Sequence, residues 1–184
     1  MEAALGRRRS VREFKREALT LSEVSQLLWA AQGTIDAEGR RTVPSAGALY
    51  PLEVLLVAGK ESALPAGVYR YLPQDHELVR VAEGDIRTKL AAAALEQDWL
   101  SDAPVTIVVT AVYARTARRY KQRAERYVHM EVGHAAQNVH LQAVALDLGT
   151  VVVGAFDDAQ VKRVLGLAGN EDPVCLMPVG KPRS

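Results

Sequence analysis

The sequence predicts a β-sheet covered by helices on both faces, of α/β or three-layer α+β class. Four short runs carry that expectation: residues 52–58 (LEVLLVA), 104–112 (PVTIVVTAV), 150–156 (TVVVGAF) and 174–180 (VCLMPVG). Each is too apolar to leave one face of a strand in water, and the stretches between them place apolar residues at helical spacing. Its 184 residues, with 48% hydrophobic content, suit one compact domain over 1–184 that buries about two-thirds of the unfolded surface.

Thr20 and Glu23 have capping-box spacing, and Val24, Leu27, Leu28 and Ala31 follow at helical intervals toward Gly33, which predicts the first helix. The polar, Gly- and Pro-containing stretch 36–51 reads as an unusually long loop into the strand at 52–58, and loops of that length are usually functional or disordered. Residues 67–81 alternate and turn near Pro73 and Asp75, which suggests an edge hairpin. Residues 85–97 are helical and alanine-rich. The longest helical candidate is 115–148, with a break or bend near Gly133 and a stop at Gly149. Asp157 can cap a last helix before the terminal strand.

Charge and composition exclude several functions. Twenty-three Lys and Arg offset twenty-two Asp and Glu, so no global field attracts nucleic acid or an anionic membrane. The apolar runs are far shorter than the ~20 residues of a membrane span. The single Cys175 precludes an intramolecular disulfide and fits a reducing, cytoplasmic setting. The N-terminus carries arginines without the apolar core of a secretory signal.

Among the four histidines, Glu131 and His134 alone have ligand-like helical spacing, and neither a zincin nor a di-iron pattern completes them. Hydrogen bonding by Glu131, His134 and Asn138 is the simpler expectation. No nucleophile elbow, dinucleotide turn or phosphate-binding loop of the Walker type is present. From Arg115 to Arg126, six of twelve residues are Lys or Arg, with Tyr120 among them and Tyr127 directly after. That segment is either a solvated helix face or a nucleic-acid surface.

The stretch RRRSVREF is either a basic tail or a phosphate site. On an extended chain Arg8, Ser10 and Arg12 point one way, with Phe14 as anchor. Two guanidinium forks and a hydroxyl match the oxygens of a phosphate monoester.

Together RRSVREF, PSAGALYPLEV, the tract RYVHMEVGHAAQNVHLQAVALDLGTVVVGAFDD and the terminal PVGKP resemble the FMN-dependent nitroreductase superfamily. The likeness is greatest to its SagB/ThcOx-type dehydrogenases, which oxidise azolines in thiazole and oxazole peptide biosynthesis. The resemblance implies a three-layer α-β-α fold with a central mixed sheet and long dimer-interface helices, and a homodimer with FMN at the subunit interface. It implies an oxidoreductase that passes hydride through flavin N5, with NAD(P)H or a small-molecule or peptide substrate as the other reactant.

Carried onto this chain, the resemblance assigns Arg8, Arg9 and Ser10 to the flavin phosphate and Arg12 to the pyrimidine edge. It brings Ser45, Ala46 and Gly47 over the flavin, commonly from the partner subunit, and sets the backbone of Val153, Gly154 and Ala155 against N5. Lys181 and Arg183 become further phosphate contacts. Tyr120 is the candidate for handling a proton, with interface packing as its plainer role. As in SagB-type sequences, Ala48 stands where many nitroreductases carry an asparagine that bonds the flavin edge, and Arg119 precedes Tyr120 where azoline oxidases carry lysine, a departure that bears on the substrate. Arginine cannot serve as a base. The C-terminal arm that wraps the partner in many relatives is expected to be short or absent. The other readings are a flavin-binding protein without turnover, or a nucleic-acid binder using the helix from Arg115 to Arg126.

Overall fold

The computed structural model describes residues 1–183. Six strands form one sheet: β1 (Leu52–Ala58), β2 (Gly67–Leu72), β3 (Glu77–Glu83), β4 (Val105–Ala111), β5 (Gly149–Thr150) and β6 (Asp172–Gly180). Their order is β3-β2-β1-β4-β6-β5, with the β2–β3 hairpin at one edge. All the strand pairings are antiparallel. The mixed character expected of the sheet is confined to an isolated parallel bridge between Ser10 and Thr150.

Side chains of a strand alternate between faces, and in the central strands β1 and β4 both sets are buried, whereas the edge strand β3 is exposed. Leu52, Val54 and Leu56 of β1 join Ile107, Val109 and Met177 against α2 (Leu21–Gln32) and α5 (Ala124–Ala145). Leu55, Val57, Val108 and Leu176 share the other core with residues of α3 (Arg87–Ala93) and α6 (Asp158–Leu165). The result is the expected α-β-α sandwich. The capping box forms as spaced, with the Thr20 hydroxyl accepting from the Glu23 N–H at 3.2 Å and Glu23 accepting from the Thr20 N–H at 2.6 Å. Asp157 accepts from the Gln160 N–H at 2.8 Å and starts α6.

Several expectations are corrected. Glu2–Arg7 forms a short helix, α1, ahead of the arginines. The long helix is unbroken at Gly133 and breaks instead after α4 (Tyr113–Tyr120), where Lys121 takes φ 48° and ψ −124°. It ends at Ala145, and Asp147, at φ 54°, occupies the left-handed position ahead of Gly149.

The run TVVVGAF is not a strand buried on both faces. Val151 and Val153 are buried while Val152 is 42% exposed. Its pairing with β6 keeps one register, from Gly149 opposite Gly180 to Val153 opposite Leu176. Pro178 falls within that span and has no N–H to donate, which interrupts the ladder.

Candidate functional site

After α1 ends at Arg7, the segment RRSVREF lies extended between β5 and the C-terminal residues. The Val11 N–H donates to the Thr150 carbonyl at 3.0 Å, the Lys15 N–H to Lys181 at 2.8 Å, and the Arg183 N–H to Glu13 at 3.0 Å. Phe14, 1% exposed, anchors the segment opposite Pro182. Gly149 permits this approach, since a Cβ there would lie 2.7 Å from Val11. The fold thereby sets the Arg8–Arg12 segment at Thr150, the start of the stretch 150–155, and holds Lys181 and Arg183 against the same segment at Glu13–Lys15.

On that stretch, Val153 and Leu176 exchange backbone hydrogen bonds at 2.9 Å, and the next N–H with a backbone acceptor is that of Asp157. Gly154 and Ala155 are exposed, and a Cβ built on Gly154 meets no atom within 4 Å. Gln97 donates to the Ala155 carbonyl at 2.9 Å, and the Arg12 guanidinium lies 5.7 Å from the Trp99 ring centroid. Two adjoining walls result: cations on one, unclaimed backbone donors on the other. Lys181 is already held by Glu17 at 3.1 Å.

Arg9 and Val11 of the extended segment and Arg7 at the end of α1 line a cavity of about 480 Å³ at the C-terminal end of α5, with His140, Asp147 and Thr150. Arg7 pairs there with Asp147 at 2.8 Å. The buried Thr150 hydroxyl has no protein partner. Burial, and then the charge of Arg8, lower the pKa of His140, so its imidazole favours the neutral form.

A second group of predicted residues lies elsewhere. In PSAGALYP, Gly47, Ala48 and Tyr50 all have positive φ, at 64°, 53° and 43°. The Tyr50 N–H donates to the Ser45 hydroxyl at 2.9 Å and the Ala48 N–H to the Ser45 carbonyl at 3.1 Å. Arg115 donates to the Tyr50 carbonyl at 3.0 Å and pairs with Glu53, while the Arg41 guanidinium sits 4.6 Å from the Tyr50 ring centroid. A Cβ on Gly47 would lie 3.0 Å from the Tyr120 hydroxyl, which sets Tyr120 against this loop. Tyr120 also meets Tyr127 edge to face at 4.9 Å, with Arg119 5.5 Å from its ring.

Beneath the loop lies Glu131, 2% exposed, with burial pushing its carboxyl up to about 7. Glu131 and Ala143 mark the two groups along α5, and twelve residues of helix separate them by ~18 Å. Within one chain, Ser45–Gly47 and Tyr120 are therefore apart from Arg8–Arg12 and Val153–Ala155.

A model of the nitroreductase family matches residues 5–181. The chain belongs to that family. A Methanocaldococcus jannaschii protein whose name places it among the nitroreductases is 48% identical over 98% of this chain and 90% of its own length. A structure of an Anabaena variabilis protein, also titled as a nitroreductase, superposes with TM-score 0.86 at 31% identity. It covers 99% of this chain, which spans only 38% of that one. The Escherichia coli microcin synthetase complex McbBCD contains a chain with TM-score 0.84 and 26% identity, covering 94% of this chain and 68% of its own. Kinship with peptide-processing members agrees with the subgroup resemblance.

Other groups in this nitroreductase-family chain resolve as packing. Glu131 is buried and His134 exposed, and no cluster of metal-ligating side chains exists among the described residues. Asn138 donates to the carbonyls of Ala30 and Thr42, both at 3.2 Å, which ties α5 to α2 and the long loop. The Cys175 thiol is pushed by burial to about 12 and stays protonated. Arg115 turns inward to Glu53 rather than joining a free basic face. Among the described residues, no helix is long and apolar enough to cross a membrane. Sequence reasoning missed Arg41, Gln32 and the clamp on Tyr50, because their partners are distant in sequence and no spacing announces them.

Proposed function

We propose that the chain is an FMN-dependent oxidoreductase working as a cytoplasmic homodimer. The observation that carries this is the parallel bridge of Ser10 to Thr150, which sets the arginine segment at the start of the stretch that runs on to the exposed Gly154 and Ala155. The open space over Gly154 and the unclaimed N–H groups there suit the approach of a flat ring. Bound FMN would supply hydride transfer at N5, taking the pair from NAD(P)H or from an azoline-like substrate and passing it to a second reactant.

Arg8, Arg9 and Ser10 would hold the phosphate, and Arg12 the pyrimidine edge, where a fixed cation stabilises the negative charge that builds on reduction. The Gly154 and Ala155 N–H groups would orient the ring. Arg183 would add to the phosphate site, and Lys181 could join by leaving an exposed pair worth ~0–1 kcal/mol.

The separation along α5 supports the dimer. An antiparallel two-fold pairing across α5 would bring Ser45, Ala46, Gly47 and Tyr120 of a second copy to the arginine end of the first. The uncovered face of α5, carrying exposed Met130, Gly133, His134 and Gln137, is available for it. Tyr120 would then arrive beside the cofactor as a hydroxyl able to move a proton.

Purification tests the reading: a yellow protein with stoichiometric FMN is expected. A colourless protein that fails to bind added FMN would refute it. Anaerobic reduction with NADH, NADPH and azolines in parallel then identifies the electron donor.

A further inference from the structure

At one end of the sheet, the starts of β1 and α4 and the loop before β6 frame a cavity of about 630 Å³. Leu49 of PSAGALYP stands in its wall, with Arg70 of β2, Arg115 and Arg118 of α4, and Asn170.

The two carboxylates of this wall are already claimed. Glu171, 4% exposed, accepts from both Nη atoms of Arg70, at 3.2 and 2.9 Å, and from the buried Thr110 hydroxyl. Glu53 accepts from Arg115 and lies 3.6 Å from Arg70. Arg115 also donates to the Tyr50 carbonyl at 3.0 Å. Two guanidinium groups thus match two carboxylates in a cross-linked frame.

Arg118 is the third guanidinium on this cavity, one turn along α4 from Arg115 and exposed. Neither its side chain nor that of Asn170 has a protein partner among the described residues. Five guanidinium N–H groups and a carboxamide therefore border a cavity whose carboxylates are taken. Such a surplus of donors and positive charge suits an acceptor from outside the chain, a carboxylate or phosphate that the planar fork can grip with two parallel bonds.

The cavity is also well placed. Leu49 follows Gly47 by two residues, which limits their Cα separation to ~7.6 Å. Arg118 precedes Tyr120 by two residues on α4, a rise of ~3 Å. The cavity therefore begins beside the Gly47 and Tyr120 pair that the flavin reading brings to the cofactor of a second copy.

We propose that this cavity is an anion subsite for a reactant of the flavin, and that Arg118 recognises a carboxylate or phosphate group on that reactant. The inference rests on the flavin reading for the ligand's being a reactant; the anion site itself does not. Two sources share the chemistry: the ribose 2′-phosphate of NADPH as electron donor, and the carboxylate of an acidic acceptor.

The test is isothermal titration calorimetry of the full chain with two pairs of probes, each pair differing in one anionic group. Adenosine 2′,5′-bisphosphate is compared with adenosine 5′-monophosphate, and 4-nitrobenzoate with 4-nitrobenzamide. Wild type should bind the anionic member of at least one pair about tenfold more tightly, the scale of charge-assisted hydrogen bonds at an accessible site. That preference should shrink as salt rises. Arg118→Ala should abolish it at an unchanged melting temperature, since this side chain ties no elements together. Arg118→Lys should keep part of it, having the charge without the fork. A preference confined to the adenosine pair assigns the site to the electron donor, and one confined to the benzoate pair assigns it to the acceptor.

Wild type that distinguishes neither pair overturns the proposal, as does an undiminished preference in Arg118→Ala. FMN titration separates the two readings: a chain that binds no FMN refutes the flavin reading and leaves the calorimetry standing. With FMN bound, kcat/KM should show the same preference, for NADPH over NADH or for 4-nitrobenzoate over 4-nitrobenzamide, and Arg118→Ala should lose it. Equal kcat/KM within both pairs, with the calorimetric preference intact, overturns the assignment of the ligand as a reactant.

Discussion

Arg115 donates from Nη1 to the carbonyl oxygen of Tyr50 at 3.0 Å, joining α4 to a residue held at φ 43°. The same guanidinium pairs with Glu53 at the start of β1. One side chain thus binds both the strained end of PSAGALYP and the strand that follows it. Arg115→Ala should destabilise the fold by about 1–2 kcal/mol, a charged hydrogen bond discounted for partial exposure. Urea unfolding measures it, and Arg115→Lys should recover only part, because lysine lacks the planar fork.

Glu131 predicts a pH dependence of global stability. Its folded pKa of about 7 exceeds the ordinary 4.5, so its protonated form favours the native state. That contribution is complete below the unfolded value and is lost as pH rises through 7, a change of up to about 3 kcal/mol. Glu131→Gln should remove this slope and leave the protein more stable than wild type at pH 8, as read by thermal melts from pH 5 to 8.

Gly154 separates folding from binding. A methyl group there meets nothing within 4 Å, so Gly154→Ala should leave the melting temperature nearly unchanged. On the flavin reading it fills space needed by the ring and should weaken FMN at least about tenfold. Equal affinity would move the ring elsewhere.

Arg8→Ala combined with Ser10→Ala should weaken FMN at least about tenfold, since hydrogen bonds to charged groups are each worth roughly 1.5–3 kcal/mol. Equilibrium titration checks it. Unchanged affinity would return the segment to a basic tail.

Arg87 tests a clasp remote from the proposed site. It is 8% exposed and donates to Asp85 at 2.6 Å, Glu61 at 2.7 Å and the Ala103 carbonyl at 3.0 Å. Arg87→Ala strands the Asp85 carboxylate and should cost about 3 kcal/mol. The Arg87 hydrogen bond lowers the Asp85 pKa, so its contribution is present above the ordinary 3.8 and is lost as pH falls through the depressed value. Acid titration of wild type and variant should differ in that limb.

Local patterns determined much of this protein. Apolar runs marked β1, β4 and β6, Thr20 and Glu23 marked the start of α2, and Asp157 that of α6, because each signal is completed within a few residues. The motif RRSVR named its side chains, and the resemblance named its relatives. Gly133 misled because an open helix face tolerates glycine, whereas the break came at Lys121. TVVVGAF misled because Pro178, on another strand, interrupts its ladder.

Only the tertiary structure decided which motifs share a place. It laid Ser10 beside Thr150, and set Gly47 against Tyr120 at the opposite part of α5. It also enclosed Glu131 beneath a loop more than eighty positions away. Such contacts depend on chain closure over long separations and on desolvation, and neither leaves a period or a spacing in the sequence.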